Sequence, residues 1–240
     1  YGAISWLGEK YSISNVLSIS ALVSTRNTPP TKTQNPTFLG IGDPKLNADE
    51  GLSRGLSFAD GKDNVESSLS QKINELPNLP ETRMELTNIA KFFGEHASTL
   101  LLGDDANEDQ LKLMELAKFS VISFATHALL ANELKGIREP GIVLTPPISV
   151  TELNDGVLTA TEIAQLELNA DWVILSACNT AAADGELSNE AFSGLARSFF
   201  YAGTRTILAS HWPVASQPTA EFVNLIIEEY FKKNVGKAEA

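Results

Sequence analysis

Trp172-Val173-Ile174-Leu175-Ser176-Ala177-Cys178 is the stretch that decides the fold. Bulky apolar residues follow one another without alternation, and small residues close the run. That is the pattern of a strand buried on both faces, not of one dividing core from water. Val121-Ile122-Ser123-Phe124-Ala125-Thr126 reads the same way and delivers His127. Phe38-Leu39-Gly40-Ile41-Gly42-Asp43-Pro44, Ala97 to Leu102 and Thr206-Ile207-Leu208-Ala209-Ser210 add three shorter strands. Between them lie helical faces. Leu86, Ile89, Ala90 and Phe93 recur at the helical spacing, as do Phe192, Leu195, Ala196 and Phe199, with Gly203 placed as a C-cap. Asn107 with Gln110 and Thr159 with Glu162 have the spacing of capping boxes, the first opening a helix to about Lys118. A last helix starts near Ser216 and Pro218 and turns Phe222, Ile226 and Tyr230 inward. Buried strands alternating with amphipathic helices predict an α/β three-layer sandwich, a mostly parallel sheet with helices on both faces.

Outward from that centre the pattern weakens. Residues 1–37 read as an extension packed on the main domain of residues 38–240, with an alternating strand from Tyr11 to Val16 and a short helix from Ile19 to Thr25. Residues 45–80 are rich in Gly, Ser, Asn, Asp and Pro and read as a long, mobile surface loop with a little helix. Ile142-Val143-Leu144-Thr145 reads as one arm of a small hairpin. The chain opens at Tyr1, and further chain upstream is expected.

Composition excludes several functions. Thirty acidic and eighteen basic residues give a net charge of −12. Such a surface suits neither nucleic acid nor an anionic membrane. No apolar run approaches the roughly 18–20 residues of a membrane span. One cysteine and three scattered histidines cannot supply the four or so ligands of a structural zinc site, and no internal disulfide can form. No metal or cofactor is expected, and a soluble setting, with the cytoplasm favoured, is. Gly40-Ile41-Gly42 lacks the spacing of a phosphate-binding fingerprint.

Ligands of open parallel sheets sit beyond the carboxyl ends of the strands. There, two strands end in His127 and Cys178. Neighbouring strands lie about 5 Å apart, so imidazole and thiol could meet across a solvent-open crevice. An imidazole beside a thiol favours the reactive thiolate. Each residue alone more often packs than reacts. Their order, His first and Cys about fifty residues later, is the spacing seen in caspases.

The segment Val121 to His127 resembles the "hxhATHG" signature of CHAT domains, which are caspase-like domains often found after tetratricopeptide repeats in bacteria. Leu175-Ser176-Ala177-Cys178-Asn179-Thr180 resembles their "LSACxT", and Ser210-His211-Trp212-Pro213-Val214 their "S-x-W-P-V". Leu158 to Ile163 is similar to their "LtaxEI"; Gly40 to Pro44 and Leu79 to Glu85 match strand one and helix one. The resemblance implies a cysteine endopeptidase with Cys178 as nucleophile and His127 as proton-transfer partner, without a required third acid. It implies an oxyanion hole from the backbone N–H groups of Ala128 and Cys178. Ser210, His211 and Trp212 would lie along a protein or peptide substrate, with Ser216 beside its pocket, and a repeat region upstream would regulate the domain. Two departures stand out. Ala128 replaces the usual Gly, which matters only if that position needs a glycine-only conformation. Ala215 and Ser216 stand where many members carry acids, one of which faces a basic substrate side chain in separase-like relatives. No strict preference for Arg or Lys is therefore expected, and Ser216 also reads as a helix N-cap. A catalytically silent scaffold of the same fold, or a flavodoxin-like ligand-binding domain, would use the same sheet differently.

Overall fold

The computed structural model of the chain describes residues 10–14, 16, 23, 35–46, 48–50, 69–131, 133–134, 137–149, 151, 154–177, 189–210, 215–233 and 235–240. Its centre is a five-stranded, all-parallel sheet in the order β10-β9-β5-β1-β4. The strands are β1 (Phe38–Pro44), β4 (Ser98–Gly103), β5 (Val121–Ala125), β9 (Trp172–Leu175) and β10 (Ile207–Ala209). β5 and β9 sit next to each other inside the sheet and are buried along their whole length.

Helices cover both faces, as the sequence predicts. On one face α2 (Pro80–Phe93) and α6 (Ser216–Lys233) enclose Phe38, Val121, Ala125, Trp172 and Ile174 with Leu86, Ile89, Val223, Ile226 and Ile227. On the other, α3 (Glu108–Leu113), α4 (Ala160–Gln165) and α5 (Asn189–Tyr201) close over Leu39, Ile41, Ile122, Phe124, Val173 and Leu175 through Leu111, Ile163, Leu195 and Phe199. The alternation of strand residues between these two cores is the pleat itself. The glycines of β1 answer to packing. A Cβ on Gly42 would stand 2.6 Å from the Ala125 carbonyl oxygen and 2.7 Å from Leu86, and one on Gly40 2.7 Å from Leu100. Glycine lets α2 settle directly on the strand.

A second, antiparallel sheet, β6-β7-β8 (Ala128–Leu129, Gly141–Val143, Val157–Thr159), adjoins the carboxyl end of β5 and contains the hairpin arm read from the sequence. Within residues 45–80, β2 (Ala48–Glu50) pairs with β3 (Pro77–Asn78), and α1 (Leu69–Asn74) precedes β3. Leu46, Ile73 and Leu76 are buried against Leu129, Val143 and Val157. These described parts of the stretch are thus packed into the domain, against the expectation of a surface loop. Leu46, Leu69, Ile73 and Leu76, thinly spread among polar residues, reach one satellite core.

Other differences have local causes. Tyr11, Ile13 and Val16 are exposed and are not in a strand, and among the described residues nothing covers the apolar side of that alternation. Of the helix expected over 19–25, only Val23 is described, and it is helical. Helix α3 ends at Leu113 because Met114 turns to ψ 148°; a 3-10 turn over Leu116–Lys118 follows. Asn107 caps α3 by accepting from the Gln110 N–H, and Thr159 with Glu162 forms the complete reciprocal box. Gly203 ends α5 at φ 108°. On α6 the inward residues are Ala220, Val223, Ile226 and Ile227, while Phe222 is 61% exposed. It lies about 100° round the helix from Val223.

Candidate functional site at the carboxyl end of the sheet

The register of β5 on β9 sets Phe124 opposite Leu175, and the Ser176 N–H extends the ladder to the Phe124 carbonyl at 2.9 Å. His127 follows Phe124 by three positions, and Cys178 follows Leu175 by the same three. After β9 the chain is described as far as Ala177; Cys178, His211, Trp212 and the Phe192 side chain lie outside the described residues.

His127 stands where β5 gives way to β6 and is held from three directions. Its carbonyl accepts the Val143 N–H at 2.9 Å, and the buried Thr126 hydroxyl donates to the Val143 carbonyl at 2.8 Å. Its ring meets β3, with Nε2 2.8 Å from the Pro77 carbonyl oxygen. A carbonyl can only accept, so Nε2 carries the hydrogen, and in the neutral ring Nδ1 is the basic nitrogen. The side chain is 0% exposed, where the sequence suggested an open crevice. The difference arises because β3 and the small antiparallel sheet close over the strand end.

Ala128 is the first residue of β6, an edge strand. The bond from Val143 to His127 makes Ala128–Ile142 the pair that exchanges no ladder bonds. Its N–H is therefore directed away from β7. Among the described residues Asp43 is the only non-glycine with positive φ, so Ala128 needs no glycine-only geometry.

Ser210 follows β10, at the edge of the main sheet, and its hydroxyl lies 3.4 Å from the carbonyl of Ala177, the residue before Cys178. Ser216 is the first residue of α6 and sits one place past the cap position at which the sequence set it. It is 1% exposed, and its hydroxyl donates to the Glu81 carboxylate in the first turn of α2.

This strand order, the layers on both faces and the residues closing β5 and β9 accompany a match of the CHAT domain family model over residues 2–240. The chain belongs to the CHAT-domain family. Comparison with curated proteins finds no match. CHAT domains are related to the caspase-like cysteine peptidases and are typically associated with tetratricopeptide repeats. Among the described residues of this CHAT domain no helix is long and apolar enough to cross a membrane.

Sequence reasoning did not single out Pro77 or Glu81 as individual contributors. Pro77 acts through a main-chain oxygen, which no side-chain motif announces. Leu76 and Leu79 are both buried but stand three apart, which is not the alternation of a strand, so the sequence carried no strand signal there. Glu81 reads in sequence as an ordinary first-turn acid, and only its contact with Ser216 sets it apart.

Proposed function

We propose that this CHAT domain is a cysteine endopeptidase acting on a protein partner or on its own chain, with Cys178 as nucleophile and His127 as proton carrier. The observation that carries the reading is the register of β5 on β9. Two adjacent parallel strands are matched at Phe124 and Leu175, and histidine and cysteine each follow three residues later. In the reaction the Cys178 thiolate attacks the scissile carbonyl carbon, and the oxyanion draws on the Ala128 and Cys178 N–H groups. As the C–N bond breaks, the His127 imidazolium gives its proton to the leaving amine. Water then attacks the thioester carbon and loses a proton to His127 Nδ1; the C–S bond breaks, releasing the new carboxylic acid and the thiolate. The outward direction of the Ala128 N–H and the Nε2–Pro77 bond support these roles. The edge position of β10 supports a substrate laid beside Ser210, His211 and Trp212 as an added strand. An upstream tetratricopeptide-repeat region is the proposed regulator.

The test is labelling of the thiol. Cys178 is expected to react with a peptide acyloxymethyl ketone far faster than a thiol in the unfolded chain does, and His127→Ala is expected to slow it at least tenfold. A folded domain whose Cys178 stays unlabelled would sink the proposal. Complete burial of His127 favours a second reading, a silent scaffold of the same fold. In that case Cys178→Ala leaves any partner-dependent activity of the full protein unchanged.

A further inference from the structure

Glu108 opens α3, yet the helix does not need it as a cap, because Asn107 already accepts the Gln110 N–H. The helix dipole favours an acid in the first turn, and it would do so at the surface as well. The carboxylate is instead turned inward and is 0% exposed, where a charge is costly unless its hydrogen bonds are met. Its donors come from a distant stretch of chain. Oε1 accepts the Asp155 and Gly156 N–H groups, both at 2.9 Å, and Oε2 accepts from Lys112 Nζ at 2.6 Å. Lys112 also reaches Glu162 Oε1 at 2.7 Å, and Glu162 Oε2 accepts the Thr159 N–H at 2.9 Å. Gly156 precedes β8 and Thr159 ends it, so this edge strand of the small sheet is gripped at both ends by carboxylates that one lysine joins. The grip passes across the sheet. The Gly156 carbonyl accepts the Leu144 N–H at 2.8 Å, and the preceding amide, Val143, donates to the His127 carbonyl at 2.9 Å. The Val143 carbonyl accepts from the Thr126 hydroxyl at 2.8 Å, and Ile142 stands opposite Ala128. A φ of 95° at Gly156 sets its N–H toward Glu108 and its carbonyl toward β7, a conformation that favours glycine.

We propose that Glu108 is a positioning residue for His127 and for the Ala128 N–H, acting through β8 and β7. This rests on the peptidase reading above. Hydrogen-bonded buried charges hold a single arrangement more firmly than apolar contacts that can slide. The carboxylate fixes the start of β8, β8 fixes Leu144, and the same strand, β7, holds the main chain of Thr126 and His127. Without it, two buried N–H groups lose their acceptor, and the small sheet is free to shift at the point where it meets the end of β5.

The experiment uses the whole 240-residue chain with Glu108→Leu, which removes the acceptors, and Glu108→Gln, whose amide oxygen still accepts main-chain N–H groups. Labelling of Cys178 by a peptide acyloxymethyl ketone is resolved into a binding constant and a maximal rate, and amide hydrogen exchange is followed by NMR. Glu108→Leu is expected to lower the maximal rate roughly tenfold to a hundredfold, the scale of a misplacement of about 1 Å, and to leave the binding constant within about threefold. The Val143 and Leu144 amides are expected to exchange about tenfold faster and those of Ile122 and Ile174 in the main sheet much less so, since a loss of overall stability alone speeds all four alike. Glu108→Gln is expected to recover most of both effects. If Glu108→Leu does not fold, Glu108→Asp, which draws the oxygens back by a methylene, is read in its place against the same expectations. A maximal rate unchanged in the folded variant, or equal speeding of all four amides, overturns the role of Glu108 and leaves the peptidase reading standing. An unaltered chain that takes no label overturns that reading and the proposal with it.

Discussion

His127 shows how much of this site is built from main chain. Its ring is directed by the Pro77 carbonyl and its backbone by Val143, so strand ends set much of the side chain's surroundings. Ala128 follows the same logic: it sits in a strand with ordinary φ, so glycine should bring no catalytic gain. Ala128→Gly is expected to leave the labelling rate of Cys178 within about threefold and to cost about 0.5–1 kcal/mol in urea unfolding. Thr126→Val, which leaves the buried Val143 carbonyl short of one donor, is expected to cost about 1–3 kcal/mol in the same measurement. Histidine, threonine and alanine were legible because a buried strand delivers them in order. The partner of the ring was not, because the composition of residues 45–80 points to loop and a carbonyl belongs to every residue alike.

The elements were readable in proportion to how one-sided their burial is. β5 and β9 are buried on both faces and stand out as largely apolar runs without polar alternation. Helix α6 was found, but its inward face was misplaced at Phe222. Its neighbours α2 and the sheet select Val223 and Ile227 instead, and sequence periodicity alone cannot say which of two adjacent apolar residues faces in. The strand expected over Tyr11 to Val16 is not seen at its described residues, where Ile13 and Val16 are exposed and, among the described residues, have no covering partner. The seating of α2 on β1 gives the sharpest prediction at this scale. Gly42→Ala drives a Cβ to 2.6 Å from a backbone oxygen, which cannot swing aside, and is expected to cost about 2–3 kcal/mol in urea unfolding. Leu86→Ala at the same contact leaves a cavity and is expected to cost about 2–5 kcal/mol.

Across the whole molecule the two ends of the sheet are fastened differently. At the amino end, Lys237 donates to the Asp171 carbonyl and the Thr206 hydroxyl, pairs with the Asp171 carboxylate at 2.7 Å and lies over the Trp172 ring. Beside the carboxyl end, Glu108 is buried and accepts the Asp155 and Gly156 N–H groups at 2.9 Å, while Lys112 joins it to Glu162 at 2.6 and 2.7 Å. Burial pushes the Glu108 carboxyl up, only partly offset by Lys112. Burial also acts to raise Glu162, but the hydrogen bonds from Lys112 and Thr159 outweigh it and hold that carboxyl below its ordinary 4.5. A lowered carboxyl contributes stability above its unfolded value and loses it as pH falls through the folded one. The stability lost in Glu162→Gln is therefore expected to be larger at pH 7 than at pH 3, as read by urea unfolding at both. The raised Glu108 has the opposite sign: its contribution is fullest below pH 4.5 and declines as pH rises through its folded value. Equal losses at both pH values for Glu162→Gln would contradict the assignment.

The Pro77 contact also bears on how such a site can drift. Its acceptor is spelled by no particular amino acid, so point changes at position 77 leave an oxygen to meet His127, and lineages are free to rewrite that letter. They are not free to change its count. One residue inserted or removed between Leu76 and Pro80 would turn a different peptide group toward the ring. The site is thus forgiving in vocabulary and strict in metre.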